Sequence, residues 1–192
     1  MTDLSDSDLL ARARSGDDEA FRLLVIRHEP VVAATVIGML GRGDDAEDVG
    51  QETFIRFHHA LHDFREESAL KTYLVRIAVN LSLNALKRRR RLSLRFLSRD
   101  AAAPLREPAV LPPAEEEAEE RRSIVRRAVG LLSARHRPVV VLRMLQDLST
   151  KETAEALGIP EGTVLSRLSR AMKELEATLA PYMRSGAITE DR

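Results

Sequence analysis

Apolar residues recur at helical spacing along most of the chain, and nothing in the first half alternates as a β-strand does. In the first half this pattern predicts three helical stretches, over 6–26 with a break at 16–18, over 45–62 and over 69–91. In the second half it predicts a helix from about 115, a short helix over 149–158 and another from 160. The chain is therefore expected to be all-α.

The predicted helix over 45–62 has two different faces. One stripe carries the residues expected in the core: Ala46, Val49, Thr53, Phe57 and Leu61. The neighbouring stripe is mostly polar: Asp48, Gln51, Glu52, Ile55 and His59. This helix is expected to pack on one side and to present a polar stripe on the other.

The predicted helix over 69–91 carries a stripe made only of hydrogen-bond donors. Its members follow one another at intervals of three or four residues and fall within roughly 120° of the helix surface: Thr72, Arg76, Asn80, Asn84, Lys87 and Arg91. A solvated helix face usually mixes charge signs, because i,i+4 pairs of opposite charge stabilise it. Donors without acids suit phosphates and base edges instead.

The segment 149–175 predicts two helices that meet at a sharp corner. Ser149 and Glu152 form a capping-box pattern, and Gly158 marks the end of the first helix. Pro160 then opens a second helix, with Val164, Leu168, Ala171 and Leu175 expected inside. Such a pair is typical of a helix-turn-helix, whose second helix enters the major groove of DNA. An ordinary αα-hairpin in a bundle is the structural alternative.

Four prolines and an acidic run within 101–120 predict a linker between two helical domains. The predicted organisation is an N-terminal domain over 1–97, a flexible linker over 98–114, a C-terminal domain over 115–183 and a tail over 184–192.

Charge is balanced overall but arranged in blocks. The net charge is −8 over 1–70, +9 over 71–99, −6 over 100–120 and +5 over 121–192. Basic blocks suit a polyanionic partner. The chain has no cysteine, which excludes disulfides and thiolate metal sites and permits a reducing compartment. No signal pattern and no run of about 18 apolar residues is present, so a cytoplasmic location without membrane insertion is expected.

Together, these segments resemble the extracytoplasmic-function (ECF, group IV) sigma factors of bacterial RNA polymerase. The likeness rests on DDAEDVGQETFIRF at 44–57, FREESALKTYLVRIAVNLSLNALKRRRR at 64–91 and ALGIPEGTVLSRLSRAMKEL at 156–175, with a proline-rich linker between the last two. The segments occur in the family's order and at its spacing.

The resemblance implies three sets of contacts. Core RNA polymerase would be bound through its β′ clamp helices and β flap, with the clamp helices contacted by Asp45, Asp48, Gln51 and Glu52. The −10 promoter element would be opened and held by Lys71, Thr72, Tyr73, Arg76, Asn80, Asn84, Lys87 and Arg88. The −35 element would be read as duplex by Thr163, Ser166, Arg167, Arg170 and Lys173. The resemblance also implies an anti-sigma factor as partner, and no catalytic residue, metal or cofactor.

Two positions depart from the family pattern. Tyr73 stands where a tryptophan is frequent, and Leu165 where a lysine or arginine is usual. The second departure implies one fewer contact to phosphate or base, and hence a salt dependence of −35 binding that is lower by roughly one unit.

The sequence also allows two other functions. A stand-alone helix-turn-helix regulator would explain 149–175 but neither 44–57 nor the donor stripe of 72–91. A metal protein could use His58 and His62, which are four residues apart, but no second ligand cluster accompanies them.

Overall fold

The computed structural model describes residues 4–66, 68–95 and 113–184. These residues form eight α-helices and one π-helical segment, and none of them is in a β-strand. The helices of the first half are α1 (Asp6–Arg14), α2 (Asp18–Leu40), α3 (Asp44–His59) and α4 (Leu70–Arg95). The second half contains α5 (Pro113–Leu131), α6 (Arg137–Val140), the π-helical segment (Val141–Leu145), α7 (Thr150–Leu157) and α8 (Glu161–Arg184). The all-α prediction is confirmed.

Helix α2 is longer than the sequence pattern indicated. The predicted stretch ended at residue 26, whereas α2 continues through Pro30 to Leu40. The helix packs against α1, α3, α4 and α5, and against the π-helical segment. Its apolar residues therefore point in several directions, and a helix buried on several sides has no single apolar stripe to recognise.

The core of the first half lies between α2 and α4, with α1 and α3 closing it. Fully buried side chains come from every one of these helices: Leu9, Leu10, Leu24, Val32, Val36, Met39, Phe57, Leu74, Val75 and Val79. Helix α2 has the length and mean hydropathy, 1.6, of a membrane-crossing helix. In this fold it is the central helix of the bundle.

The corner predicted in the second half is present. Ser149 Oγ accepts from the Glu152 amide at 3.2 Å, and the Ser149 amide donates to Glu152 Oε2 at 2.7 Å, so the capping box is complete. Gly158 ends α7 with φ 62° and ψ 38°, and the Ile159 amide donates to the Ala154 carbonyl at 3.1 Å. Val139, Ala154 and Val164 form the small core beneath the corner.

The two halves are in contact. Helix α7 packs against α4, and the π-helical segment packs against α2. Most of the predicted linker and tail, residues 98–112 and 185–192, lies outside the described residues. The domain boundaries therefore stay predictions.

Replacing Gly158 by alanine should destabilise the protein by about 1 kcal/mol, because an L-residue with a side chain disfavours the left-handed conformation that Gly158 adopts. The urea midpoint measured by circular dichroism should fall. Gly130→Ala is the matched control, because Gly130 is inside α5 and a Cβ there meets nothing within 4 Å. An unchanged midpoint for Gly158→Ala would contradict the importance assigned to the left-handed conformation of Gly158.

Candidate functional site

A shallow groove of about 480 Å³ runs between α3 and α4. It brings together all four predicted polymerase contacts, Asp45, Asp48, Gln51 and Glu52. Two of the predicted −10 residues, Asn84 and Arg88, lie on its opposite wall. Residues assigned to separate contacts from the sequence are therefore neighbours across one groove.

Asp45 is tied to α4 rather than free. Its Oδ1 lies 3.1 Å from Arg88 Nη2, and its Oδ2 accepts from Arg89 Nε. The hydrogen bond from Arg89, followed by the charges of both arginines, lowers the pKa of Asp45 below its ordinary value. This carboxylate consequently joins the start of α3 to the basic end of α4.

The rest of the groove is more open. Asp48 and Gln51 are exposed, and Glu52 Oε1 accepts from Arg56 Nε at 2.8 Å within α3. Ile55, on the same polar stripe, is 50% exposed and lines the groove. This exposed isoleucine lies among acids and offers an apolar contact in the groove. The predicted polymerase contacts, which are all polar, did not include it.

Helix α4 presents most of its predicted donor stripe to solvent. Arg76, Asn80, Asn84, Lys87 and Arg91 are all exposed. Thr72 is the exception, with only 4% of its surface exposed. It lies in the first turn of α4, so the stripe is exposed only from Arg76 onward.

A second cavity, of about 540 Å³, lies beside the loop between α3 and α4. Tyr73 is on its wall with its ring centroid 4.7 Å from that of Phe64, and the guanidinium of Arg76 is 5.2 Å from the Tyr73 ring. Thr72 and Ser68 also line this cavity, as does Glu155 of α7. An aromatic ring, a stacked guanidinium and small hydroxyls suit an unstacked base.

Arg14 holds the loop beside this cavity. It donates to the Leu61 carbonyl at 3.1 Å, to the Phe64 carbonyl and to Glu66 Oε1 at 2.8 Å. Ser7 Oγ donates to the other carboxylate oxygen of Glu66 at 3.1 Å. Helix α1 thus fixes the loop, a role that sequence spacing could not reveal because the partners lie about fifty positions apart.

Helix α8 carries the predicted −35 residues along its outer side. Ser166, Arg170 and Lys173 are exposed, whereas Thr163 and Arg167 are half-buried. Leu165 is 56% exposed and stands among these polar residues. Val164 and Ala171 are fully buried beneath them, so α8 is held to its domain by the side opposite the donors.

Both histidines of α3, His58 and His59, are exposed. The His58 ring packs edge-on against Phe21, with centroids 4.9 Å apart. No group of three or more histidine, cysteine or acidic side chains among the described residues could hold a metal ion.

The fold and these surfaces define a helical DNA-binding protein in which a helix-turn-helix accompanies a second helical unit with a donor-rich face. Family comparison agrees in both halves. Residues 24–92 match the model of Sigma-70 region 2, and residues 122–175 match that of Sigma-70 region 4.

Relatives with assigned functions match along nearly the whole chain. The ECF RNA polymerase sigma-E factors of Escherichia coli (strain K12) and Salmonella typhimurium (strain LT2) are 36% identical over 191 residues, covering 94% of this chain and 97% of theirs. The sigma-E factor of Haemophilus influenzae is 36% identical over 187 residues, covering 94% and 98%.

Solved structures give the same fold. CnrH, in complex with the cytosolic domain of CnrY, matches with a TM-score of 0.66 and 30% identity, covering 92% of this chain and 97% of that one. The sigma factor RpoE of Bartonella quintana, in complex with the anti-sigma factor NepR, matches with a TM-score of 0.68 and 24% identity, covering 83% and 96%.

The chain belongs to the ECF sigma factors of RNA polymerase. It is an alternative sigma factor that acts in promoter recognition. Because the likeness spans both halves, a stand-alone helix-turn-helix regulator is not favoured.

Asp45→Asn should lower the free energy of unfolding by about 1 kcal/mol at pH 7, because charge-assisted hydrogen bonds at a partly exposed site contribute on this scale. The folded-state pKa of Asp45 is lowered, so its stabilisation is present above the ordinary value of 3.8 and is lost as pH falls through the folded-state value. The difference from wild type should therefore shrink in urea titrations near pH 3.

Asp44→Asn is the matched control, because Asp44 is the exposed neighbour at the same helix start. Equal losses in the two variants, or a difference that persists at low pH, would contradict the role assigned to the tie between Asp45 and α4.

Proposed function

We propose that this protein recruits core RNA polymerase with the groove between α3 and α4 and opens the promoter with the exposed donors of α4. The observation that carries this proposal is the donor face: Arg76, Asn80, Asn84 and Lys87 are exposed on one helix that has no acidic residue along its length. In this scheme the clamp helices of the β′ subunit contact Asp48, Gln51 and Glu52, and Asp45 positions the groove.

Promoter opening would use the cavity beside Tyr73. An unpaired base of the −10 element can stack on an aromatic ring, at about 1–3 kcal/mol per base. Thr72 and Arg76 line that cavity, Lys71 precedes them on α4, and Asn80, Asn84, Lys87 and Arg88 continue along α4 toward the basic end. These donors, spaced along one helix, would bind the backbone and bases of an unpaired DNA strand.

The −35 element would be read by α8 in the major groove. Arginine and serine side chains on the first turns of a recognition helix can reach base edges and phosphates. Ser166, Arg167 and Arg170 are the proposed readers, with Thr163 and Lys173 at either end. The second half would also contact the β flap of the polymerase.

In this scheme the chain is a non-catalytic specificity subunit, because phosphodiester formation belongs to the polymerase. It would act in the cytoplasm, where the polymerase is. We also propose an anti-sigma partner that masks these surfaces; this is supported by the two solved relatives, one in complex with the anti-sigma factor NepR and the other with the cytosolic domain of CnrY.

The double charge reversal Asp48→Lys with Glu52→Lys should abolish co-purification of the tagged chain with core RNA polymerase. Reversal removes two acids from one wall of the groove and repels any basic partner surface. Glu47→Lys is the matched control, since Glu47 belongs to the same helix but lines the separate cavity between α2 and α3.

Three results are possible. Loss of binding only in the double variant supports the groove, whereas equal loss with Glu47→Lys assigns the effect to general charge on α3. If the wild-type chain does not co-purify with core polymerase yet binds duplex DNA, the proposed recruitment of polymerase is wrong.

Leu165→Lys should restore the contact that this chain lacks relative to the family pattern. The magnitude of the slope of log affinity against log salt for holoenzyme binding to its promoter should rise by about 0.9, one phosphate contact. The promoter is obtained by selection from a randomised library. Leu131→Lys, at an exposed leucine of α5, controls for the added charge. An unchanged slope, or an equal rise in the control, would exclude position 165 from the DNA interface.

A further inference from the structure

Leu165 is a large apolar side chain near the start of α8. It is the fifth residue of the helix and is 56% exposed, while Val164, directly before it, is fully buried and anchors this turn. Exposed leucines are common on protein surfaces. This one, however, lies on the N-terminal turns of the second helix of a helix-turn-helix, the turns whose side chains contact base edges in the major groove.

The outward surface around Leu165 is made of small residues. Gly162 lies three positions before it, Ser166 directly after it and Ser169 four positions after it, and all three are exposed. Residues three or four positions apart are neighbours on a helix surface. The leucine therefore projects beyond its outward neighbours, and its methyl groups are the first atoms that a surface approaching this side would meet.

Gly162 leaves space beside this leucine. No described atom of the chain lies within 4 Å of a Cβ built at Gly162, and its backbone is not in the left-handed region. Neither packing within the chain nor backbone conformation therefore requires glycine at this position. Glycine weakens a helix relative to alanine, and it is favoured where a backbone approaches a ligand closely. The strip beside Leu165 is accordingly suited to close approach of DNA.

The chemistry of leucine limits what this position can recognise. It donates no hydrogen bond and attracts no phosphate, unlike the lysine or arginine that is usual here in the family pattern. The apolar group that base pairs present in the major groove is the C5 methyl of thymine. The arginines of α8 lie on another side of the helix, Arg167 about 200° and Arg170 about 140° around it from Leu165. Helix α8 thus has an apolar flank as well as a donor flank.

We propose that Leu165 is a specificity-determining residue that contacts the C5 methyl group of one thymine in the −35 element. An apolar contact to a base here takes the place of the charged contact of the family pattern. The result is a preference for thymine over cytosine at one base pair. The inference rests on the proposed function because it takes α8 as the helix that reads the −35 element.

The decisive experiment removes the methyl group and nothing else. In the selected promoter duplex, each thymine of the −35 element is replaced in turn by deoxyuridine, which keeps every hydrogen-bonding group of the base. The Kd of holoenzyme for each duplex is measured by fluorescence anisotropy. Wild-type holoenzyme should bind about four-fold more weakly at one of these positions, the effect of withdrawing one methyl group from an apolar contact.

Leu165→Ala should remove this response. Holoenzyme carrying the variant should bind the unmodified promoter at least about four-fold more weakly than wild type. It should not distinguish thymine from deoxyuridine at the sensitive position. The side chain is exposed and alanine is a good helix former, so circular dichroism should show an unchanged fold. Leu131→Ala, at an exposed leucine of α5, is the matched control and should keep the wild-type response.

A second measurement needs no variant. The sensitive thymine is replaced by cytosine or by 5-methylcytosine, each paired with guanine, so that the two duplexes differ only in the methyl group. Wild-type holoenzyme should bind the methylated duplex about four-fold more tightly. Equal affinities would contradict a contact between Leu165 and the methyl group.

Three further results would overturn the inference while leaving recognition of the −35 element by α8 intact. They are a wild-type holoenzyme that tolerates every deoxyuridine, a selected −35 element without thymine, and a Leu165→Ala variant that still responds to the methyl group. If wild-type holoenzyme selects no −35 sequence at all, the proposed function itself fails, and the inference fails with it.

Discussion

The packing of α2 against α4 is the contact on which the rest of the molecule depends. Leu24, Val32, Val36 and Met39 of α2 are fully buried, as are Leu74, Val75 and Val79 of α4. Helices α1 and α3 cover this pair, and the second half contacts both of its members. The buried side of α4 consequently holds this helix in place, and its opposite side carries the exposed donors. A rigid helix fixes the spacing of its exposed donors, which the proposed nucleic-acid track requires.

The carboxyl end of α2 shows how polar contacts extend this packing. Arg89 of α4 donates to the Leu40 carbonyl at 3.2 Å, and Arg137 of the second half donates to the Met39 carbonyl at 2.8 Å. The last carbonyls of a helix lack partners within the helix, so arginines from elsewhere can satisfy them. One arginine belongs to the first half and the other to the second, so both halves hold the carboxyl end of α2.

The sequence pattern predicted the bounds of helices that are buried on one side. It did not predict the full length of α2, which is buried on several sides. Predicted spans for α3, α4 and α7, and the predicted start of α8, lie within a few residues of those observed, because each helix has a clear apolar stripe or a cap such as Ser149. Helix α2 has no such stripe beyond residue 26, since neighbours surround it. Spacing also identified the exposed face of α4. It could not show that Thr72, on the same stripe, is buried, because helical spacing gives the face on which a residue lies and not what packs over it.

The ion pairs between α3 and α4 were the least predictable part of the site. They also distinguish an arginine that holds the fold together from one that is free to exchange its partner. Asp45 and Arg89 lie 44 positions apart, so no local pattern joins them. Of the two arginines on Asp45, Arg88 has a side chain 66% exposed, and an ion pair this exposed contributes little to stability. Arg89 also caps α2, so releasing it would cost two contacts. Arg88 can therefore exchange its carboxylate for a phosphate without loosening the bundle, while Arg89 cannot. The two arginines that share Asp45 thus differ in role: Arg89 holds α2 and α3 to α4, whereas Arg88, one of the proposed −10 residues, can leave Asp45 at little cost to the fold.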